Sequence, residues 1–217
     1  LVLVKGALEM SDHSPGHNIT YTMPVLANPS AIGLFGLAMV TLVASTQKLG
    51  ITDGTSLVIP WAIFLGAAAQ LYASIVDARL NNTFGATAFG GYAFFWFAVA
   101  FTWMTQNGVF GNTMAKTADI RELGFAFVGY LIFSIYMTIA SMGVNKVLFF
   151  DFLFIDLLFI GLSCSILGIA PHATHLLAAW SELIISMISF YGSAAVVINT
   201  QFGKTILPTG KPFRVFQ

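Results

Sequence analysis

The sequence predicts an all-α integral membrane protein whose protomer crosses the bilayer six times. Two observations predict it. Hydrophobic residues make up 57% of the 217-residue chain and charged residues only 8%. A soluble domain carries roughly 25% charged residues, so this chain cannot cover a water-facing surface of ordinary polarity. The apolar residues also gather into six long runs, near the about 20 residues a helix needs to cross hydrocarbon. These runs are continuous and do not alternate, which argues against a transmembrane β-barrel.

The first span is expected over residues 31–46. Pro29 stands where a first helical turn begins, with Asn28 before it as a cap. Gly50, Asp53, Gly54 and Thr55 make the next loop polar and turn-prone. The second span is expected over 57–76, closed by Asn81, Asn82, Thr83 and Gly85, and the third over 87–104, closed by Gly108, Gly111 and Asn112. The fourth covers 123–142. Gly143 and Asn145 join it by a short link to the fifth, over 147–167. Gly168 and Pro171 end the fifth, since Pro cannot donate a backbone hydrogen bond. The sixth covers 175–198. The chain thus divides into a polar N-terminal arm (1–23), a six-helix transmembrane domain (24–201) and a C-terminal tail (202–217).

Six spans put both termini on one side. Lys5, Arg79, Lys146, Lys204, Lys211 and Arg214 share it, against Lys48, Lys116 and Arg121 opposite. The positive-inside rule then places both termini in the cytoplasm, for a multi-pass protein of the cell (plasma) membrane. Net charge is zero, which leaves no basic stripe for nucleic acid. The single cysteine, Cys164, excludes a disulfide within the chain and a Cys-based metal or cluster site. His172 and His175 have no carboxylate or cysteine cluster beside them, so they read as interfacial histidines and no metal is expected. No Walker loop, G-x-S-x-G or H-E-x-x-H is present. No enzyme and no cofactor are expected.

Polar groups inside a membrane are costly and need partners or a watery path. Several fall on single helix faces: Gly33, Leu37 and Thr41; Gly66, Gln70, Ser74 and Asp77; Tyr130, Ser134 and Ser141; and Glu182, Ser186, Ser189 and Ser193. Helix packing through small residues and hydroxyls explains any one stripe. Four stripes together add weight to a lined path. Asp151 is expected near the membrane edge, answered by Lys146. Asp156 and Glu182 are expected deeper, either as hydrogen-bonded acids between helices or as a proton relay.

Three blocks carry a resemblance. Asn28, Pro29, Ser30, Ala31, Ile32, Gly33 and Leu34 resemble the N-P-A-P-L-G-L signature of the acetate uptake transporter family. The run from Asn82 to Phe89, continued by Tyr92, Phe95 and Trp96, resembles its N-T-F-G-x-T-A-F…Y-G-x-F-W block. The run from Gln201 to Pro208 resembles its Q-F-G-R-T-V-L-P tail. Ala31 departs from the usual second proline.

The resemblance implies a six-helix protomer like that of the proton-gated urea channels, assembled as a homohexamer with a path in each protomer. It implies transport of acetate, with succinate or other small carboxylates, by a proton-coupled or channel-like route. Leu37, Tyr92 and Ile155 stand at the positions of the family's pore constriction, Leu37 where the family has phenylalanine and Ile155 where leucine is usual. Asn28, Thr41, Gln70 and Tyr92 are the expected substrate donors, near exposed N–H groups at the start of the first helix. The rival readings are a urea- or amide-type channel for neutral solutes, a membrane sensor or scaffold without transport, and, weakest, a membrane enzyme.

Overall fold

The computed structural model describes residues 26–215, and the expected arm over 1–23 lies outside them. Six helices are long and apolar enough to span a membrane. They are α1 (Ser30–Lys48), α2 (Val58–Arg79), α3 (Thr83–Gln106), α5 (Ile120–Ser141), α6 (Lys146–Ile166) and α7 (Pro171–Phe202). A short helix, α4 (Asn112–Thr117), sits in the loop before α5. No strand occurs among the described residues.

Each expected span has its helix, and the boundaries shift for local reasons. α3 starts at Thr83 because Asn82 caps it, its Oδ1 accepting from Gly85 N at 3.2 Å. α6 starts at Lys146, where Asn145 Oδ1 accepts from Leu148 N at 2.9 Å. Asn28 Oδ1 likewise accepts from Ser30 N at 2.9 Å before α1. Each asparagine satisfies one of the N–H groups that the first turn of a helix leaves free.

The sixth span exceeds expectation at both ends. Its 32 residues extend about 48 Å at a rise of about 1.5 Å per residue, beyond a hydrocarbon core of about 30 Å. Pro171 occupies its first turn, and Gly203 ends it in the left-handed region (φ 63°).

The helices close into a ring. α1 packs on α7, α7 on α6, α6 on α5, and α2 on both α3 and α1. Between α3 and α5, Tyr130 donates its hydroxyl to Gly91 O at 3.0 Å, and the Tyr92 and Phe133 rings meet edge to face. Close approach depends on glycine at two positions. A Cβ on Gly33 would meet the Phe89 ring, and one on Gly161 would meet the backbone of Thr174 and Ala178. The outer faces stay apolar, with Phe64, Phe94, Phe125, Ile132 and Trp180 exposed, as a lipid or subunit environment requires.

The tail is tied down. Asn199 Oδ1 accepts from Ile206 N and Leu207 N, and its Nδ2 donates to Leu207 O. Phe213 N donates to Met142 O at 2.8 Å, and the Phe213 ring meets Phe149.

Candidate functional site

A cavity of about 100 Å³ lies inside the ring. It is smaller than the roughly 150 Å³ engineered cavity that holds benzene, which suits a ligand of a few heavy atoms. Its walls come from α1, α2, α3 and α6, and from the links before α3 and α6. It sits at the end where α1, α3 and α6 begin: Ser30, Asn82, Phe84, Val144 and Leu148 form that part of its wall. Three helix N-termini therefore present their partial positive charge toward one space. No Lys, Arg or His lines it among the described residues. What positive potential the cavity has therefore comes from oriented backbone dipoles.

Leu37 of α1, Tyr92 of α3 and Ile155 of α6 all line this one cavity and are all buried. The Tyr92 ring stacks on Phe159 at a centroid separation of 6.5 Å and tilts against Phe152 at 6.0 Å. Its hydroxyl donates to Ser134 Oγ at 3.2 Å. Local structure aims Gln70 at the same space. The backbone of α2 widens into π-helical turns over Ala62–Ala69, a departure common at functional sites. Gln70 follows directly, fully buried on the cavity wall, with Nε2 donating to Gly66 O at 2.7 Å.

The other expected donors lie elsewhere. Thr41 is buried on α1 but is not on the cavity wall, and its hydroxyl donates to Leu37 O at 2.7 Å. Asn28 is exposed and engaged in capping α1.

The acids are arranged differently from expectation. Asp151 is not at the membrane edge beside Lys146. It is buried on the cavity wall, with Oδ2 accepting from Ser189 Oγ of α7 at 2.8 Å. Lys146 instead extends over the Phe213 ring. Helix rotation explains the difference: Asp151 lies four residues before Ile155, hence on the same inward face. That spacing was a signal available in the sequence.

Glu182 is not a lone deep acid. It pairs with Lys48 at 2.8 Å, at the last residue of α1 and away from the cavity. His175 Nε2 lies 2.9 Å from the Lys48 carbonyl oxygen beside them. Asp156 is half-buried off the cavity wall, where Oδ2 accepts from Thr138 Oγ1 at 2.7 Å. Asp156 and Glu182 therefore have separate partners. Phe84, Phe89 and Phe152, which sequence reasoning had not singled out as lining residues, supply much of the apolar wall. Among the described residues no His, Cys, Asp and Glu cluster could hold a metal.

Comparison with known proteins gives a consistent result. A sequence model described as the GPR1/FUN34/yaaH family matches residues 11–211. The chain is 33% identical over 188 residues to the succinate-acetate/proton symporter SatP of Escherichia coli strain K12, covering 86% of this chain and 96% of that one. It is 34% identical over 143 residues to acetate permease A of Emericella nidulans, covering 62% of this chain and 47% of that one. The solved structure of the bacterial acetate channel SatP superposes with a TM-score of 0.79 at 28% identity, covering 86% of this chain and all of the other. These matches bear out the resemblance carried by the three sequence blocks.

Proposed function

The chain belongs to the GPR1/FUN34/yaaH family, and from that premise we propose that it moves acetate across a membrane through the cavity inside its own six helices. The observation that carries this reading is that small cavity, framed by three helix N-termini and walled at its inner side by Leu37, Tyr92 and Ile155. The dipoles gather the anion at the mouth, and the apolar ring opposes water and hydrated ions. The small volume favours acetate over succinate, which must displace wall side chains to fit. The Tyr92 hydroxyl is the polar group within the ring, placed to pass a carboxylate onward by exchanging its bond to Ser134. The exposed amide of Asn28 meets the anion first; Gln70 stands at the wall with Nε2 held by Gly66 O, so it presents its oxygen and serves a protonated acid rather than a bare anion. The reading assigns the protein no catalytic step and no cofactor.

The homohexamer implied by the family is part of this proposal, supported by the apolar outer faces; a single-protomer mass in nanodiscs would overturn it. So are the division into arm, transport domain and tail, and the setting in the cell membrane with both termini cytoplasmic. The cavity then opens toward the cytoplasmic half. Labelled acetate influx into proteoliposomes, above that into empty liposomes, tests the main reading. Excess unlabelled acetate is expected to suppress it and neutral acetamide to leave it unchanged. Equal suppression by acetamide would favour the neutral-solute channel, and no protein-dependent flux would favour a sensor or scaffold.

A further inference from the structure

We propose that Asp151 is the proton-binding group of the cavity, and that one proton shared between its carboxyl and the incoming carboxylate lets the two occupy one site. This rests on the carboxylate-transport reading and adds to it a residue and a coupling stoichiometry. Asp151 is 2% exposed, on the cavity wall. Its Oδ2 accepts from Ser189, while Oδ1 is buried with no hydrogen-bond partner. Gln70 stands on the same wall, fully buried, with Oε1 also unpartnered. Its orientation follows from its neighbour: Gly66 O accepts, so the amide nitrogen must face it, and the oxygen is left over.

The wall therefore offers two free oxygens and no cationic side chain. A carboxylate brings only acceptors. A burial of acceptors against acceptors costs free energy unless a donor is supplied. The wall's own hydroxyls are Ser30, at the mouth, and Tyr92, whose hydrogen goes to Ser134 until a carboxylate reaches the ring. A proton on Asp151 supplies the missing donor, in the way that two acid groups in one dry site hold a single proton between them. The only bond that changes is O–H: one proton is taken from solvent onto the Asp151–acetate pair as the anion enters and is returned to solvent as it leaves.

Among the described residues no cationic side chain lines the cavity beside Asp151, and the other acids lie off its wall, Asp77 with Oδ2 buried and unpartnered behind Asn82 and Gly85. On α3 the titratable neighbour is Tyr92. On α2, Asp77 lies against Gly85 and accepts from Asn82 at 2.8 Å. On α6, Lys146 extends over Phe213 and Asp156 faces Thr138 of α5. On α7, Glu182 is paired with Lys48, the charged residue of α1.

Calorimetric titration of the full chain in nanodiscs with acetate tests the assignment. Two buffers of different protonation heat are used, from about pH 6 to about pH 9. The intact protein is expected to take up close to one proton per acetate at the alkaline end, with affinity falling there by about tenfold per pH unit. Asp151→Asn, whose amide donates without titrating, is expected to bind acetate with no proton uptake and a flat pH profile. Asp156→Asn is expected to behave like the intact protein. If Asp151→Asn does not fold, Asp151→Thr supplies a non-titrating hydroxyl and is read in the same way. Proton uptake retained without the Asp151 carboxyl overturns the proposal, as does acetate binding by the intact protein with no proton uptake at any pH. Failure of the intact protein to bind acetate at all overturns instead the carboxylate reading beneath it.

Discussion

Leu37 shows how little chemistry the proposed constriction needs. It is an aliphatic side chain with no polar atom, on the cavity wall with Tyr92 and Ile155, and in the proposed path its bulk opposes water. Leu37→Ala removes that bulk at a destabilisation of roughly 2–5 kcal/mol. Acetate flux per folded protein is expected to rise by roughly two- to tenfold, with discrimination against larger carboxylates relaxed. Proteoliposome influx normalised to folded protein checks it. Unchanged rate and unchanged selectivity would count against placing the constriction there. At the same scale, the four polar stripes all turn inward, yet most of their hydroxyls bond to backbone. Ser141 donates to Thr138 O at 2.6 Å and Ser193 to Ala31 O at 2.7 Å. Packing accounts for these residues, and the lined path uses few of them.

At the scale of elements, glycine decides which helices touch closely. Gly161 lets α6 approach α7 until a Cβ would stand 2.7 Å from both Ala178 N and Thr174 O. Backbone atoms cannot swing aside as a flexible side chain can, so the helices themselves must part. Gly161→Ala is expected to cost about 1–3 kcal/mol, the usual range for overpacking, and thermal unfolding in detergent measures it. A melting temperature equal to that of the unchanged protein would mean that the two helices separate freely. The consequence reaches the site, because α6 carries Asp151 and Ile155 and α7 carries Ser189. The start of α1 was legible from its asparagine cap, whereas Asn82 and Asn145, read as loop residues, proved to be caps only in the structure. The π-helical turns of α2 were not legible, since an apolar run such as Ala62–Ala69 has no local mark that favours a wider helix.

For the whole molecule, the placement of charge supports the proposed orientation. Arg79, Lys146, Lys204, Lys211 and Arg214 gather at the end where the tail is tied, and the cavity lies in that half. Lys211→Cys, in a Cys164→Ser background, is therefore expected to escape a membrane-impermeant thiol reagent in intact cells and to react with it in inverted vesicles. Labelling from outside would reverse the proposed orientation.

The number of spans, their approximate limits, the cap at Asn28 and the family were all readable from the chain alone. Hydropathy, capping and short conserved-looking blocks are properties of neighbouring residues, and a helix closes its hydrogen bonds within one segment. The partners of the acids were decided only by the tertiary structure. Glu182 meets Lys48 across 134 positions and Asp151 meets Ser189 across 38. Such pairings depend on how each helix is rotated and which helix it packs against, and a carboxyl on an apolar helix looks the same in sequence whether it faces an ion-pair partner, a serine or an empty cavity.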